Sequence, residues 1–188
     1  MEQSKDNTPF MHRVRIVATG GECTGKTTLV TQLSEFFGTP CSNEAARDYV
    51  NKLGRAVQYS DVETIAKHQI AIEDQVSASN SRMIFLDTDL FSTLIYSHFY
   101  FEQCPDWIEP ACNARRADLY LLCGFDLPWI EDEFQRGKGD SESRQAIHHL
   151  FSENLCRAGC NIVEISGPDG ARLNQAISAV KKQVGDHK

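Results

Sequence analysis

No stretch of the 188 residues comes near the roughly 20 consecutive apolar residues that cross a bilayer, so nothing in the chain reads as a membrane helix. Positive charge is scarce: 19 Lys and Arg stand against 26 Asp and Glu, a formal net charge of −7. That balance argues against a general nucleic-acid binder, which needs a basic face to displace counterions from phosphates. Paired cysteines are missing as well. Cysteines occur at 23, 41, 104, 112, 123, 156 and 160, and none forms a C-x-x-C pair, which removes a zinc ribbon and a thioredoxin-type dithiol. Their odd number, with several inside apolar segments, fits reduced thiols in a cytoplasmic protein. Cys156 and Cys160 share a helical spacing, but no His or carboxylate pattern completes a tetrahedral metal set. Residues 1–12, MEQSKDNTPFMH, lack the apolar core of a signal peptide and read as a flexible tail. Residues 13–188 then form a single domain, with 41% hydrophobic residues to supply its core.

What the chain does contain is an alternation of short apolar runs with longer helical patterns. Val14–Ala18, Met83–Leu86, Leu119–Cys123 and Ile162–Ile165 read as buried strands, and a further short strand is expected near Thr39–Ser42. Ile147, Leu150, Phe151 and Leu155 make one amphipathic helical stripe. Leu173, Ala176, Ile177, Val180 and Val184 make another. Strands joined by helices imply right-handed crossovers. The expected fold is therefore α/β: a P-loop kinase with a five-stranded parallel sheet of order 2-3-1-4-5, covered by helices on both faces. Residues 136–143, RGKGDSES, read as a mobile loop of the kind that serves as a lid.

Directly after the first strand stands Gly20-Gly21-Glu22-Cys23-Thr24-Gly25-Lys26-Thr27, the G-x-x-x-x-G-K-[ST] phosphate-binding loop. Glycines let the backbone curl until its N–H groups face phosphate oxygens, and the helix that follows, through Thr28, adds the partial positive charge of its N-terminus. Lys26 is placed to reach the β- and γ-phosphates of ATP, and Thr27 to bind Mg²⁺. Asp87 emerges at the end of Ile84-Phe85-Leu86 and can hold the same Mg²⁺. Asp89, two residues on, either joins the site or, with Thr88 as the rival, caps a helix starting near Leu90.

A guanine-specific switch needs N-K-x-D, and Asn51-Lys52-Leu53-Gly54 lacks the Asp. A AAA+ motor needs a second helical domain. A compact small-molecule kinase remains. Its acceptor side is sought in Ser42-Asn43-Glu44-Ala45-Ala46-Arg47. There Glu44 either accepts the proton of an attacking hydroxyl or favours a helix N-terminus, and Arg47 either binds a substrate oxygen or is solvated. Trp107 and Trp129 either stack on a flat cationic ring or anchor the core. Arg136, Lys138 and Arg144 are the cations of the lid. His148 and His149 read as an exposed pair. A kinase for another nucleoside or small alcohol, and an ATP-binding regulatory ATPase without a small-molecule acceptor, are the alternative functions.

These residues resemble a known family. Gly20–Thr27, the E-x-x-R-x-[YF]-V string at Glu44–Val50, Gln58-Tyr59-Ser60-Asp61, Asp87-Thr88-Asp89 and Pro128-Trp129-Ile130-Glu131-Asp132 occur in that order in the ribosylnicotinamide kinase domain of the NadR proteins. The resemblance covers roughly residues 13–180. It implies transfer of the γ-phosphate of ATP to the 5′-hydroxyl of nicotinamide riboside, giving nicotinamide mononucleotide for NAD salvage. It implies ATP and Mg²⁺ at Gly20–Thr28, a metal-side Asp87, and a riboside pocket that includes Asp89, Arg47, Trp107 and Trp129. The expected partner is thus a small-molecule riboside, with neither nucleic acid nor membrane. The fused adenylyltransferase and helix-turn-helix domains of the family find no room in this chain. The family continues W-[VI]-x-D-G-L-R after its later Trp, whereas here Gln135 stands at the expected Arg and Arg136 follows. Arg136 then takes the lid role after a local shift, or that contribution is lost.

Overall fold

The computed structural model of the protein describes residues 13–42, 49, 53–130 and 139–185. Four parallel strands form its sheet: β1 (Val14–Thr19), β2 (Met83–Asp87), β3 (Leu119–Cys123) and β4 (Ile162–Ile165), in the order β2-β1-β3-β4. This corrects the five-stranded sheet of order 2-3-1-4-5. The segment expected as a further strand, Thr39–Ser42, contributes one isolated parallel bridge, Cys41 against Phe85. The reason is local. Gly38, at φ 62°, ends the preceding helix, and Pro40 has no N–H to give a ladder. Pro40 only accepts from Phe85 N–H at 3.2 Å, and Ser42 N–H donates to Phe85 O at 2.9 Å.

Strand alternation sorts the core into two halves. Ile16, Ala18, Phe85, Leu119 and Leu121 face one way, where α1 (Lys26–Phe37) supplies Leu29, Val30 and Leu33 and the C-terminal helix Asp169–Gly185 supplies Ala176 and Val180. Val17, Ile84, Leu86, Tyr120 and Leu122 face the other. Against them pack α2 (Val62–Ser77), α3 (Leu90–Phe101), α4 (Ile108–Ala114) and α5 (Ser141–Arg157). The C-terminal helix is α6. Burial on both faces explains why the strands read as continuous apolar runs. Among the described residues no helix is long and apolar enough to cross a membrane.

Helix α5 begins inside the segment expected as loop. Asp140 Oδ1 accepts from Ser143 N–H at 2.8 Å, so Asp-Ser-Glu-Ser is an N-cap and first turn. None of the seven cysteines forms a disulfide.

Candidate active site

The turn after β1 has the backbone its glycines predict. Gly20 sits at φ 126°, and a Cβ there would meet Cys123 O at 2.8 Å, so β3 passes too close for any side chain. Cys23, at φ 53°, and Gly25, at φ 76°, complete the curl, and Gly25 is the N-cap of α1. The carbonyls of this turn are tied down one by one. Gly21 O accepts from Thr24 Oγ1 at 2.9 Å and from Lys26 Nζ at 2.6 Å. Cys23 O accepts from Arg144 Nη2 at 3.2 Å, and Thr24 O from Arg172 Nη1 at 2.8 Å. A peptide unit points its C=O and N–H in opposite directions. Holding the Cys23 and Thr24 carbonyls on arginines therefore turns the amides of Thr24 and Gly25 the other way, toward the concave side.

Arg172, on α6, is almost wholly buried. Besides Thr24 it holds Gly167 O at 2.8 Å, Gly124 O at 2.9 Å and the carboxylate of Asp126. Burial works to raise the Asp126 carboxyl, but Gly167 N–H and the Arg172 charge hold it below the ordinary range. Nothing in the sequence singles out Arg172: it lies one residue before an amphipathic stripe and in no motif.

Strand register sets Asp87 beside Ala18, just ahead of the phosphate loop. Asp87 is fully buried, and its N–H donates to Ser42 Oγ at 2.9 Å. Cys123 lies between these charges. Burial pushes its thiol up to about 11 while Lys26 and Arg172 pull it down and Asp87 and Asp126 push it further up. Thr27 and Thr28, at the start of α1, are exposed. Among the described residues no three His, Cys, Asp or Glu converge as a metal site. Thr27 and Asp87 suit a cation that takes most of its ligands from phosphate and water.

Asp89 is buried and uses each carboxylate oxygen within the fold. Oδ1 accepts from Phe91 N–H at 3.1 Å, making Asp89 the cap of α3, and Oδ2 accepts from Tyr120 O–H at 2.8 Å. Burial, followed by the charge of Glu73, pushes its carboxyl up to about 7, against the Tyr120 and Phe91 hydrogen bonds. Between the two aspartates Thr88 stands at φ 64°, a left-handed conformation unusual for a β-branched residue.

The start of α5 is latched onto the phosphate loop. Arg144 donates to Leu127 O at 2.8 Å as well as to Cys23 O, and its guanidinium lies 5.7 Å from the centre of the Trp129 ring. The Cys23 thiol donates to Ile130 O at 3.2 Å. Trp129 also lies hard against Gly139, where a Cβ would come within 2.6 Å of the indole. A narrow cleft opens here, lined by Gly21, Glu22, Thr24, Phe125, Trp129, Arg144, Ile147 and His148. His148 is thus a half-buried wall of the cleft, and only His149 is the exposed residue expected of the pair. Trp107 begins α4 and packs on the core with its indole N–H buried and without an acceptor among the described residues. Glu44, Arg47, Arg136 and Lys138 lie outside the described residues.

Residues 15–172 match the AAA domain family. The chain belongs to that family. The likeness to the NadR proteins extends over nearly the whole chain. The chain is 32% identical over 184 residues to the trifunctional NAD biosynthesis/regulator protein NadR of Salmonella typhimurium, covering 95% of this chain and 44% of that protein. It spans less than half the length of the curated relatives it matches. A crystal structure of NadR in complex with NR superposes with a TM-score of 0.75 at 26% identity, over 92% of this chain and 50% of that one. A second, of NadR with NAD and AMP-PNP, gives 0.75 at 25% identity over the same shares. Thymidylate kinase from Ehrlichia chaffeensis, at TM-score 0.63 and 14% identity over 91% of this chain and 98% of that one, shares the α/β P-loop kinase fold.

Proposed function

We propose that the chain is an ATP-dependent kinase that phosphorylates the 5′-hydroxyl of a riboside, with nicotinamide riboside as its acceptor and nicotinamide mononucleotide as its product. The observation that carries the reading is the phosphate loop itself: a turn with Gly20, Cys23 and Gly25 at positive φ, whose Cys23 and Thr24 carbonyls are held by Arg144 and Arg172. The solved NadR complexes with NR and with AMP-PNP support the choice of acceptor and donor.

In this reading catalysis is positioning and charge neutralisation. The amides of Gly20–Thr28 and the N-terminus of α1 cradle the phosphates of ATP. Lys26 leaves Gly21 O for the transferring phosphoryl group. Thr27 and Asp87 would hold Mg²⁺, which supplies charge neutralisation across the phosphates. Glu44 or Asp87 orients the acceptor hydroxyl. Arg136, or Arg144 from the start of α5, balances charge on the lid side. Arg47, Asp89, Trp107 and Trp129 are assigned to the riboside pocket, and the Trp107 N–H is the donor there still in need of an acceptor. Asp89 contributes through the turn it caps.

The experiment is ATP and magnesium with a panel of ribosides, read by mass for the monophosphate. The expected result is mononucleotide from nicotinamide riboside, with ADP formed in proportion to it. Monophosphate formed only from purine or pyrimidine nucleosides would replace the acceptor and keep the kinase. Slow ADP release indifferent to any riboside would favour a regulatory ATPase.

A further inference from the structure

Helix α2 turns Val62, Ile65, Ala66, Gln69 and Glu73 inward. Three are apolar, as the spacing of an inward stripe demands. The last two are not, and a buried amide beside a buried carboxylate is costly unless each is satisfied. Glu73 is satisfied on one oxygen by two arginines: Oε2 accepts from Arg15 Nη2 at 2.9 Å and from Arg115 Nη2 at 3.1 Å and Nε at 3.2 Å. Its Oε1 accepts from Gln69 Nε2 at 3.3 Å. The same amide nitrogen donates to Thr88 O, also at 3.3 Å. A carboxylate and a carbonyl can only accept, so the orientation of the Gln69 amide is dictated by its neighbours.

Thr88 is the residue that needs holding. It stands at φ 64° between Asp87 and Asp89, where an L-residue with a branched side chain is strained. Its N–H is fixed by Ala18 O at 3.0 Å, at the end of β1. Its carbonyl is fixed by Gln69. The neighbouring residue is braced separately, through Tyr120 and the α3 cap. Strain persists only where the surroundings over-determine it, and such positions cluster at functional sites.

We propose that Gln69 is a positioning residue: anchored by Glu73 and its two arginines, it clamps the Thr88 carbonyl, keeps the Asp87–Thr88–Asp89 turn left-handed, and so sets the direction of the Asp87 carboxylate toward the nucleotide-bound magnesium. The proposal rests on the kinase reading above. It predicts a defect confined to the metal-dependent part of nucleotide binding, because Glu73 and Thr88, the hydrogen-bond partners of Gln69, lie outside the phosphate loop.

The test is calorimetric titration of ATP into wild type, Gln69→Leu and Gln69→Leu/Thr88→Gly, each with magnesium and with EDTA. Gln69→Met replaces the leucine variant if that one does not fold. The gain in affinity that magnesium gives wild type is expected to shrink about ten- to hundredfold in Gln69→Leu, the usual effect of removing a residue that orients a metal ligand. Affinity in EDTA should stay unchanged. Thr88→Gly should return the gain, since glycine adopts the left-handed turn without a clamp. A full magnesium gain in Gln69→Leu overturns the proposal, as does a lost gain that Thr88→Gly does not return. If wild type binds no ATP the kinase reading falls, and the clamp is then judged on crystals of Gln69→Leu: Thr88 departing from positive φ supports it, and Thr88 remaining there refutes it.

Discussion

Arg172 Nη1 meets the carbonyl of Thr24 at 2.8 Å, joining the last described helix to a loop 148 residues earlier. The same guanidinium serves Gly124 and Gly167. Arg172→Met would strip three carbonyls of their donor at once. The buried Thr24 carbonyl left unpaired costs about 1–3 kcal/mol and the half-buried Gly124 and Gly167 carbonyls less, so a total loss of about 3 kcal/mol is expected. For a chain of this size that corresponds to a melting shift of roughly 6–12 °C. Scanning calorimetry measures it, and a negligible shift would mean that water replaces the guanidinium at no cost.

Lys26 tests the chemistry rather than the fold. Its acceptor, Gly21 O, keeps a second donor in Thr24 Oγ1 when the lysine is gone. Lys26→Ala is therefore expected to retain its circular dichroism and cooperative melting. Phosphoryl transfer to the riboside should fall about 10²–10³-fold, the usual effect of deleting one preorganised donor. Near-normal turnover in a well-folded variant would remove Lys26 from the mechanism.

Asp89 gives stability a definite pH dependence. Its carboxyl ionises near 3.8 in an unfolded chain and is pushed up to about 7 in the fold, chiefly by burial and then by Glu73. Between those values the folded state keeps a proton that the unfolded state has released. The associated stability is whole below about pH 4, drains as pH rises, and is gone above about pH 7. Asp89→Asn keeps a side-chain oxygen to cap α3 and has no proton to lose. Relative to wild type it should gain stability progressively from about pH 4 to 8, by on the order of a few kcal/mol. Urea midpoints of the two proteins across that range decide it, and parallel curves would contradict the assignment.

Gly139→Ala probes the packing just before α5. The added methyl would lie 2.6 Å from the Trp129 indole, whose ring centre lies 5.7 Å from the Arg144 guanidinium. Relief requires the indole to move, at about 1–3 kcal/mol if it does not. In a Trp107→Phe background Trp129 is the one tryptophan left. Its emission should shift to the red, and KM for ATP should rise several-fold as Arg144 loses its brace. Unaltered emission would show that residues around Gly139 yield instead.

The sequence made the strands, the phosphate loop and Asp87 legible because each is a local signal: an apolar run, a spaced set of glycines, an acid ending a strand. Asp89 was visible as either a cap or a site residue, and the geometry of Phe91 N–H and Tyr120 O–H supplies the cap. Arg172, Gln69, Glu73 and Tyr120 were not visible. Their roles arise from partners 19 to 148 residues away, and in sequence each is one polar letter in an amphipathic or apolar run. The missing strand at Thr39–Ser42 has the opposite cause. There Pro40 lacks the N–H that a ladder needs.

The tie between Thr24 and Arg172 also sets an order of events during synthesis. A ribosome exposes the glycine-rich turn long before it has polymerised the helix that squares it. A nascent chain can pair its early strands, but the Thr24 carbonyl gains its arginine only once α6 has docked, so the loop is squared late, after the sheet has begun to form.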